Sequence, residues 1–368
     1  MNMPKTIFFL TIALAFLAGS VASQERHSIF DELLQEGLAV DVEIEAAMME
    51  LVENRRLDEP VPARFTFEDS EGHEQSFSIK LEQRGKYRRR ICDFPPLSLN
   101  FSKSELQQLG FYPKYDKLKL VTHCLDDKEE GQELLLKEYL AYELYRELTG
   151  QSYRVQLARV TYIDVNGEMN KARRYGFIIE DTDEMAHRLG GTECEDCVNP
   201  PDSLLEASSE NLMSVFQYMI GNTDWSIQMA RNIKAVSQKN GGKLIPVPYD
   251  FDFSGFVDAP YALPSADYGQ LSVKQRVFLG KPASRATLEE TLRLVYAKKE
   301  RLLERVWAFK PLSADARRAC QDYLETFFLE AEQILMKTGP YLDSPLLQQP
   351  GQLRPQGVIP AGESPAGK

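Results

Sequence analysis

The stretch PVPYDFDFSG, residues 246–255, closes an apolar, β-leaning run with two aspartates one residue apart. On an extended strand alternate residues share a face, so Asp250 and Asp252 would point the same way, and like charges held together are unfavourable unless a cation or donors compensate. A divalent metal is one such cation. Upstream, NTDWSIQMARN puts Asp224 and Asn232 in a polar, non-periodic loop after a helix that ends at Gly221. Phosphoryl transfer needs a carboxylate to orient or deprotonate the attacking hydroxyl, and oxygen ligands to hold magnesium against nucleotide phosphates. Asp224 suits the first role. Asn232, Asp250 and Asp252 suit the second, as hard oxygen donors that leave positions for phosphate and water. Plainer roles stay open: Asp224 as an Asx turn after the helix, and the aspartate pair as a calcium site without chemistry.

The elements that must position these residues are read from periodicity. Residues 24–59 have a helical pattern, with Ile29, Leu33, Leu34, Leu38 and the run from Val40 to Ile44 as apolar positions. From residue 60 to 180 the chain alternates: a hairpin around residues 61–85, strands at PPLSLNF and KLKLVTH, and two strands joined at Asn166-Gly167. One long helix, residues 130–149, interrupts them, with Gly150 as its stop. Helices follow at 183–189 and 206–220, then two strands flanking Asn240-Gly241-Gly242, and mostly helix over 271–337. The expected class is therefore α+β, with an antiparallel β-rich region over 60–180, a mainly helical region over 181–337, and the polar loops between them.

Several ordered motifs, RGKYRRRICDFPPLSLNF, LLLKEYLAYELYRELTG, YGFIIEDTDEM, GNTDWSIQMARNIK and IPVPYDFDFSG, together resemble the CotH kinase family, the secreted atypical protein kinases of spore coats. The resemblance spans about residues 60–260. It implies a two-lobed protein-kinase-like fold that transfers the γ-phosphoryl of ATP, with Mg2+ or Mn2+, to a hydroxyl acceptor, with protein Ser or Thr as the acceptor class. Asp224 would take the catalytic-loop position, Asn232 that of the metal-binding asparagine, and Asp250 the metal-binding aspartate, with Asp252 beside it. Glu138 would partner a phosphate-binding lysine, and Glu180 would fall near the hinge where adenine lies. The strand PPLSLNF has Ser98 and Asn100 where the family pattern has a basic residue, so Lys119 or Arg84 would bring the cation to the phosphates. Of the cluster Arg88-Arg89-Arg90, an alternating strand would send Arg88, with Arg84, toward the cleft.

Composition limits the alternatives. The 368 residues are 43% hydrophobic and 27% charged, an ordinary globular balance. A formal net charge of −12 argues against a general affinity for nucleic acid, which needs a concentrated basic surface. Residues 1–23 read as a secretory signal cut after Ser23, with Lys5 before the apolar run from Ile7 to Leu17. No later segment is long enough to span a membrane, so export to a periplasmic or extracellular space is expected. In an exported chain five cysteines suggest disulfides with one thiol left over: Cys92 with Cys124 on neighbouring strands, Cys194 with Cys197 in a loop, and Cys320 alone. The Pro/Gly/Gln-rich tail, residues 338–368, reads as disordered. Two other functions fit parts of the pattern. One is a kinase-fold protein that binds without turnover. The other is an Asp-x-Asp, metal-dependent glycosyltransferase, against which the opening antiparallel strands argue.

Overall fold

The computed structural model describes residues 27–53, 59–85, 87–239, 241–282, 284–337 and 346. The expected signal, residues 1–23, and the expected tail, residues 338–368 apart from Leu346, lie outside the described residues. The segment VDVEIEA decides the architecture. Its apolar residues Val40, Val42, Ile44 and Ala46 recur every second position and are buried. Residues 24–59 are therefore not one helical segment. They contain a short helix α1 (Ile29–Leu33), strand β1 (Val40–Ala46) and helix α2 (Met48–Glu53). Val40 and Ile44 also satisfy helical spacing, but tertiary pairing overrides it, because both edges of β1 are bonded to other strands.

β1 pairs antiparallel with β2 (Val61–Glu68), which pairs with β3 (Glu74–Gln83). The ladder continues through β4 (Leu97–Phe101), β5 (Lys117–Val121), β7 (Ala172–Ile179) and β6 (Val155–Asp164), and β6 returns to β1 in parallel register, with Val42 opposite Val160. The result is a closed, mixed, seven-stranded barrel surrounded by helices. It overturns the expected two-lobed kinase-like fold with an antiparallel N-terminal sheet. Physically, one additional strand at the N-terminal end, hidden in an apparent helix, joins the first and last edges and leaves the sheet no free edge.

Phe65, Phe67, Phe77 and Phe101 fill the barrel interior with stacked and edge-on rings, beside Leu99, Leu118, Leu120 and Val160. The first half of β6 and the second half of β7 are buried on both faces. Ala158 and Ile178 point inward, while Leu157, Phe177 and Ile179 belong to a second core shared with the helices. Gly176 makes this crossing a close one, since a Cβ there would lie 3.1 Å from Leu120, Val121 and Val160 atoms and those neighbours would have to shift by a few tenths of an ångström.

The remaining predicted elements keep their order, and α3, α4 and β8 are additions to it. Helix α3 (Arg88–Ile91) lies between β3 and β4, and α4 (Lys103–Gln108) between β4 and β5. The long helix α5 (Lys128–Leu148) starts at Asp127, whose carboxylate accepts from the amides of Glu129 and Glu130, and it packs on β7. After α6 (Thr182–Arg188) come β8 (Gly191–Glu193), α7 (Ala207–Met219), β9 (Ile233–Gln238) and β10 (Leu244–Pro248), the three strands forming a small antiparallel sheet. Helices α8 (Arg285–Tyr296), α9 (Lys299–Ala308) and α10 (Ala314–Met336) complete the second core. Disulfides join Cys92 to Cys124 and Cys194 to Cys197, and Cys320 is a buried free thiol. No helix among the described residues is long and apolar enough to cross a membrane.

Candidate functional site

A cavity of about 780 Å³ opens where the barrel meets α5 and the loops of the small sheet. Its wall includes Arg84, Arg88, Glu138, Asp224, Asn232, Asp250 and Asp252, so residues from four separated parts of the chain converge there.

Asp224 and Asn232 meet because the intervening loop is a closed ring. Ser226 and Arg231 exchange two backbone hydrogen bonds of 2.9 Å, which folds the loop back on itself. The Asn232 amide then donates to the Asp224 carbonyl at 2.7 Å and to its carboxylate at 3.0 Å. Arg231 lies 3.4 Å from the other carboxylate oxygen. Burial raises the pKa of Asp224, Arg231 opposes that shift, and the nearby Asp250 adds to it. This carboxylate is thus a stronger base than an exposed aspartate. The Asp224 amide is also held, by the Asn222 side chain at 2.9 Å, so the Asx turn considered from sequence lies on the residue two before it.

The aspartate pair does not continue strand β10, which ends at Pro248. Asp250 has φ of +64° and Asn232 of +52°, both in the left-handed region, where Asn and Asp are tolerated better than most residues and where a cost of order 1–3 kcal/mol is still typical. Two bonds hold these turns: Tyr249 donates its amide to Asn232, and Asp250 donates its amide to the Tyr142 hydroxyl at 2.8 Å. At the foot of α7, Gly221 (φ +66°) accepts from Gly255, and a Cβ on Gly221 would strike the Tyr323 hydroxyl.

Glu138, one turn before Tyr142 on α5, completes a cage with Asp250 and Asp252, whose oxygens lie within 4.8 Å of one another. One nitrogen sits among them. Arg88 Nη2 is 2.8 Å from Glu138, 3.2 Å from Asp250 and 2.7 Å from Asp252, while Nε donates to the same Asp252 oxygen at 2.8 Å. Arg88, Glu138 and Asp252 are buried. Burial raises the pKa of Glu138 and of Asp252, although Arg88 pulls both down, because three carboxylates face one guanidinium. The second Glu138 oxygen is buried and has no hydrogen-bond partner among the described residues. An oxygen-only cage with an unpaired buried acceptor fits a hard divalent cation such as Mg2+ or Mn2+.

The arginines did not take the expected alternating strand. Residues 88–90 form α3, which the Cys92–Cys124 disulfide fastens to the end of β5, and this turn swings Arg88 into the cage. Arg84 lines the cavity, and its side chain has no hydrogen-bond or ion-pair partner among the described residues. Glu138 is paired with Arg88, not with a lysine. Lys119 is one ring removed from the cavity: its ammonium donates to the Thr182 hydroxyl at 2.7 Å and faces the rings of Tyr153 and Tyr249. Burial, with Arg84 and Lys234 nearby, lowers its pKa to about 7. Glu180 lies away from the cavity, enclosed by Arg154 and Arg188, each within 2.8 Å. Its neighbour Ile179 lines the cavity instead. Sequence reasoning missed Tyr142 and Tyr249, although the spacing of Tyr142, four residues after Glu138 on a helix, was a usable signal.

No family model matches the chain, and no curated protein matches it either.

Proposed function

We propose that this cavity transfers the γ-phosphoryl group of ATP, bound with a divalent cation, to a hydroxyl acceptor, with protein Ser or Thr as the acceptor class. The observation that carries the reading is the convergence of Asp224, Asn232, Asp250, Asp252 and Glu138 with two arginines on one cavity large enough for a nucleotide. The reading rests on these groups and on the CotH-like motifs, not on a kinase-like fold. A bound divalent cation would supply charge neutralisation on the phosphate oxygens. Glu138, Asp250 and Asp252 would hold it.

Asp224 would accept the proton of the attacking hydroxyl as the acceptor oxygen bonds to the γ-phosphorus and the bond to the bridging oxygen of ADP breaks. Its carboxylate is fixed by Asn232, and its raised pKa makes it a better base. Arg84, which lines the cavity without a partner among the described residues, would bind phosphate oxygens through its guanidinium fork. Val121 and Ile179 offer an apolar wall for the base, the role expected of the region around Glu180.

The test is incorporation of label from γ-labelled ATP by the purified chain into itself and into a mixed acceptor panel, with and without Mg2+ or Mn2+, against Asp224→Asn. Label that needs metal and falls by about 10²–10⁴ in the variant, at unchanged nucleotide affinity, supports the assignment. Bound nucleotide without label would replace it with a binding protein. Undiminished label in the variant would remove Asp224 from the chemistry.

A further inference from the structure

Arg88 holds the place that a metal ion would take. A single nitrogen, Nη2, is the common neighbour of three carboxylates from two distant segments, at 2.7–3.2 Å. Metal–oxygen bonds of about 2.0–2.1 Å for Mg2+ are shorter than these contacts, so the cage need only contract by roughly an ångström around an ion that replaces the nitrogen. Both cannot occupy that centre. Nor can the guanidinium leave without a new anionic partner, because an unpaired charge in a buried site is strongly unfavourable.

We propose that Arg88 is an internal counter-ion that the metal displaces, and that the displaced guanidinium then binds the phosphates that arrive with the metal. This rests on the function proposed above and adds a regulatory consequence. A metal ion alone would have to expel Arg88 into a cavity that offers it nothing. A polyphosphate alone would find Arg88 already neutralised and the carboxylates repelling it. The metal–polyphosphate complex supplies a cation to the cage and anionic oxygens to Arg88 at once, beside Arg84, which has no partner among the described residues. The site therefore opens to the complex and stays shut to either component.

Two features of the chain support an exchange of this kind. Arg88 sits on a four-residue helix pinned behind it by the Cys92–Cys124 disulfide, so the side chain can turn while its backbone stays fixed. The second oxygen of Glu138 is buried and has no hydrogen-bond partner among the described residues, so one guanidinium leaves that carboxylate incompletely satisfied.

The test compares the full chain with Arg88→Gln. Mn2+ alone is titrated by the loss of the free-ion electron paramagnetic resonance signal, and the preformed Mn2+–triphosphate complex by calorimetry. The wild-type chain is expected to bind the complex at least tenfold more tightly than Mn2+ alone. In Arg88→Gln the order should reverse: Mn2+ alone gains at least tenfold, and triphosphate no longer tightens it. Arg88→Lys, which keeps a charge but loses the Nε contact, should move Mn2+ affinity the same way by a smaller factor, and it serves if the glutamine variant does not fold. Equal Mn2+ affinity in wild type and variants would overturn the exchange and leave the metal site standing. No Mn2+ bound by any of them, alone or as the complex, would overturn the metal site itself.

Discussion

Asp252 and Asp250 both touch Arg88, but the structure separates them energetically. Asp252 is buried, and one of its oxygens takes both Nε and Nη2 of Arg88, at 2.8 and 2.7 Å. Asp250 meets Nη2 at 3.2 Å, with its side chain 36% exposed. Neutralising one partner of a buried pair typically costs about 3–5 kcal/mol, and Glu138 remains on Nη2, so Asp252→Asn should lose stability near the lower end, about 3 kcal/mol. Asp250→Asn removes a longer, solvent-screened contact and should lose about 0–1 kcal/mol, while weakening metal binding. Urea unfolding with a common slope reads the difference as a shift in midpoint, which should be several times larger for Asp252→Asn. Adding Arg88→Gln to Asp252→Asn should cost less than Arg88→Gln does alone, because the two side chains share one interaction. Equal losses in the two aspartate variants would refute this assignment. A loss below 1 kcal/mol for Asp252→Asn would show that Asp252 carries a proton in the folded chain and that Glu138 and Asp250 alone balance Arg88.

Two further predictions concern what holds the site in place. The Cys92–Cys124 disulfide closes 32 residues and fastens α3, so Cys92→Ser with Cys124→Ser should lower stability by about 3–4 kcal/mol in urea unfolding, and the variant should bind Mn2+ more tightly than wild type if loosening α3 frees the cage; unchanged stability would show that α3 is held by packing alone. Burial raises the Glu184 pKa from 4.5 to about 7, with Arg154 and the Ser28 hydroxyl opposing the shift and Glu180 and Asp31 adding to it. Between about pH 4.5 and 7 the folded chain keeps a proton that the unfolded chain has lost, so stability should fall as pH rises through that window, by as much as roughly 3 kcal/mol. Asp181, raised to about 6, and Glu210, raised to about 7, act in the same window, so Glu184→Gln should reduce that slope by its own share, and an unchanged slope would assign it to those groups.

What the sequence revealed of this site, and what it concealed, follows one division. Asp224, Asn232, Asp250 and Asp252 were legible because each sits in a loop flanked by strongly periodic elements, and the order of those elements forces the loops toward one end of the small sheet. Glu138 came only from the resemblance, as a lysine's partner, and the structure pairs it with Arg88 instead. The misplaced features all depend on a register or a pairing partner far away in the chain. β1 looked helical because Val40 and Ile44 fit either period, and its pairing with β2 on one edge and, in parallel, with β6, more than a hundred residues later, on the other selects the strand. Glu180 was placed at the cavity, yet a period-two element puts adjacent residues on opposite faces, so a one-residue error exchanges Ile179 for Glu180. Arg88 was placed on an alternating strand with its neighbours. The disulfide from Cys92 to Cys124 instead accompanies a single helical turn, and that turn aims one guanidinium of the three at the cage. The same dependence gives Arg88 its control over the site, since a residue positioned by a covalent clamp can exchange anionic partners without unfolding the elements around it.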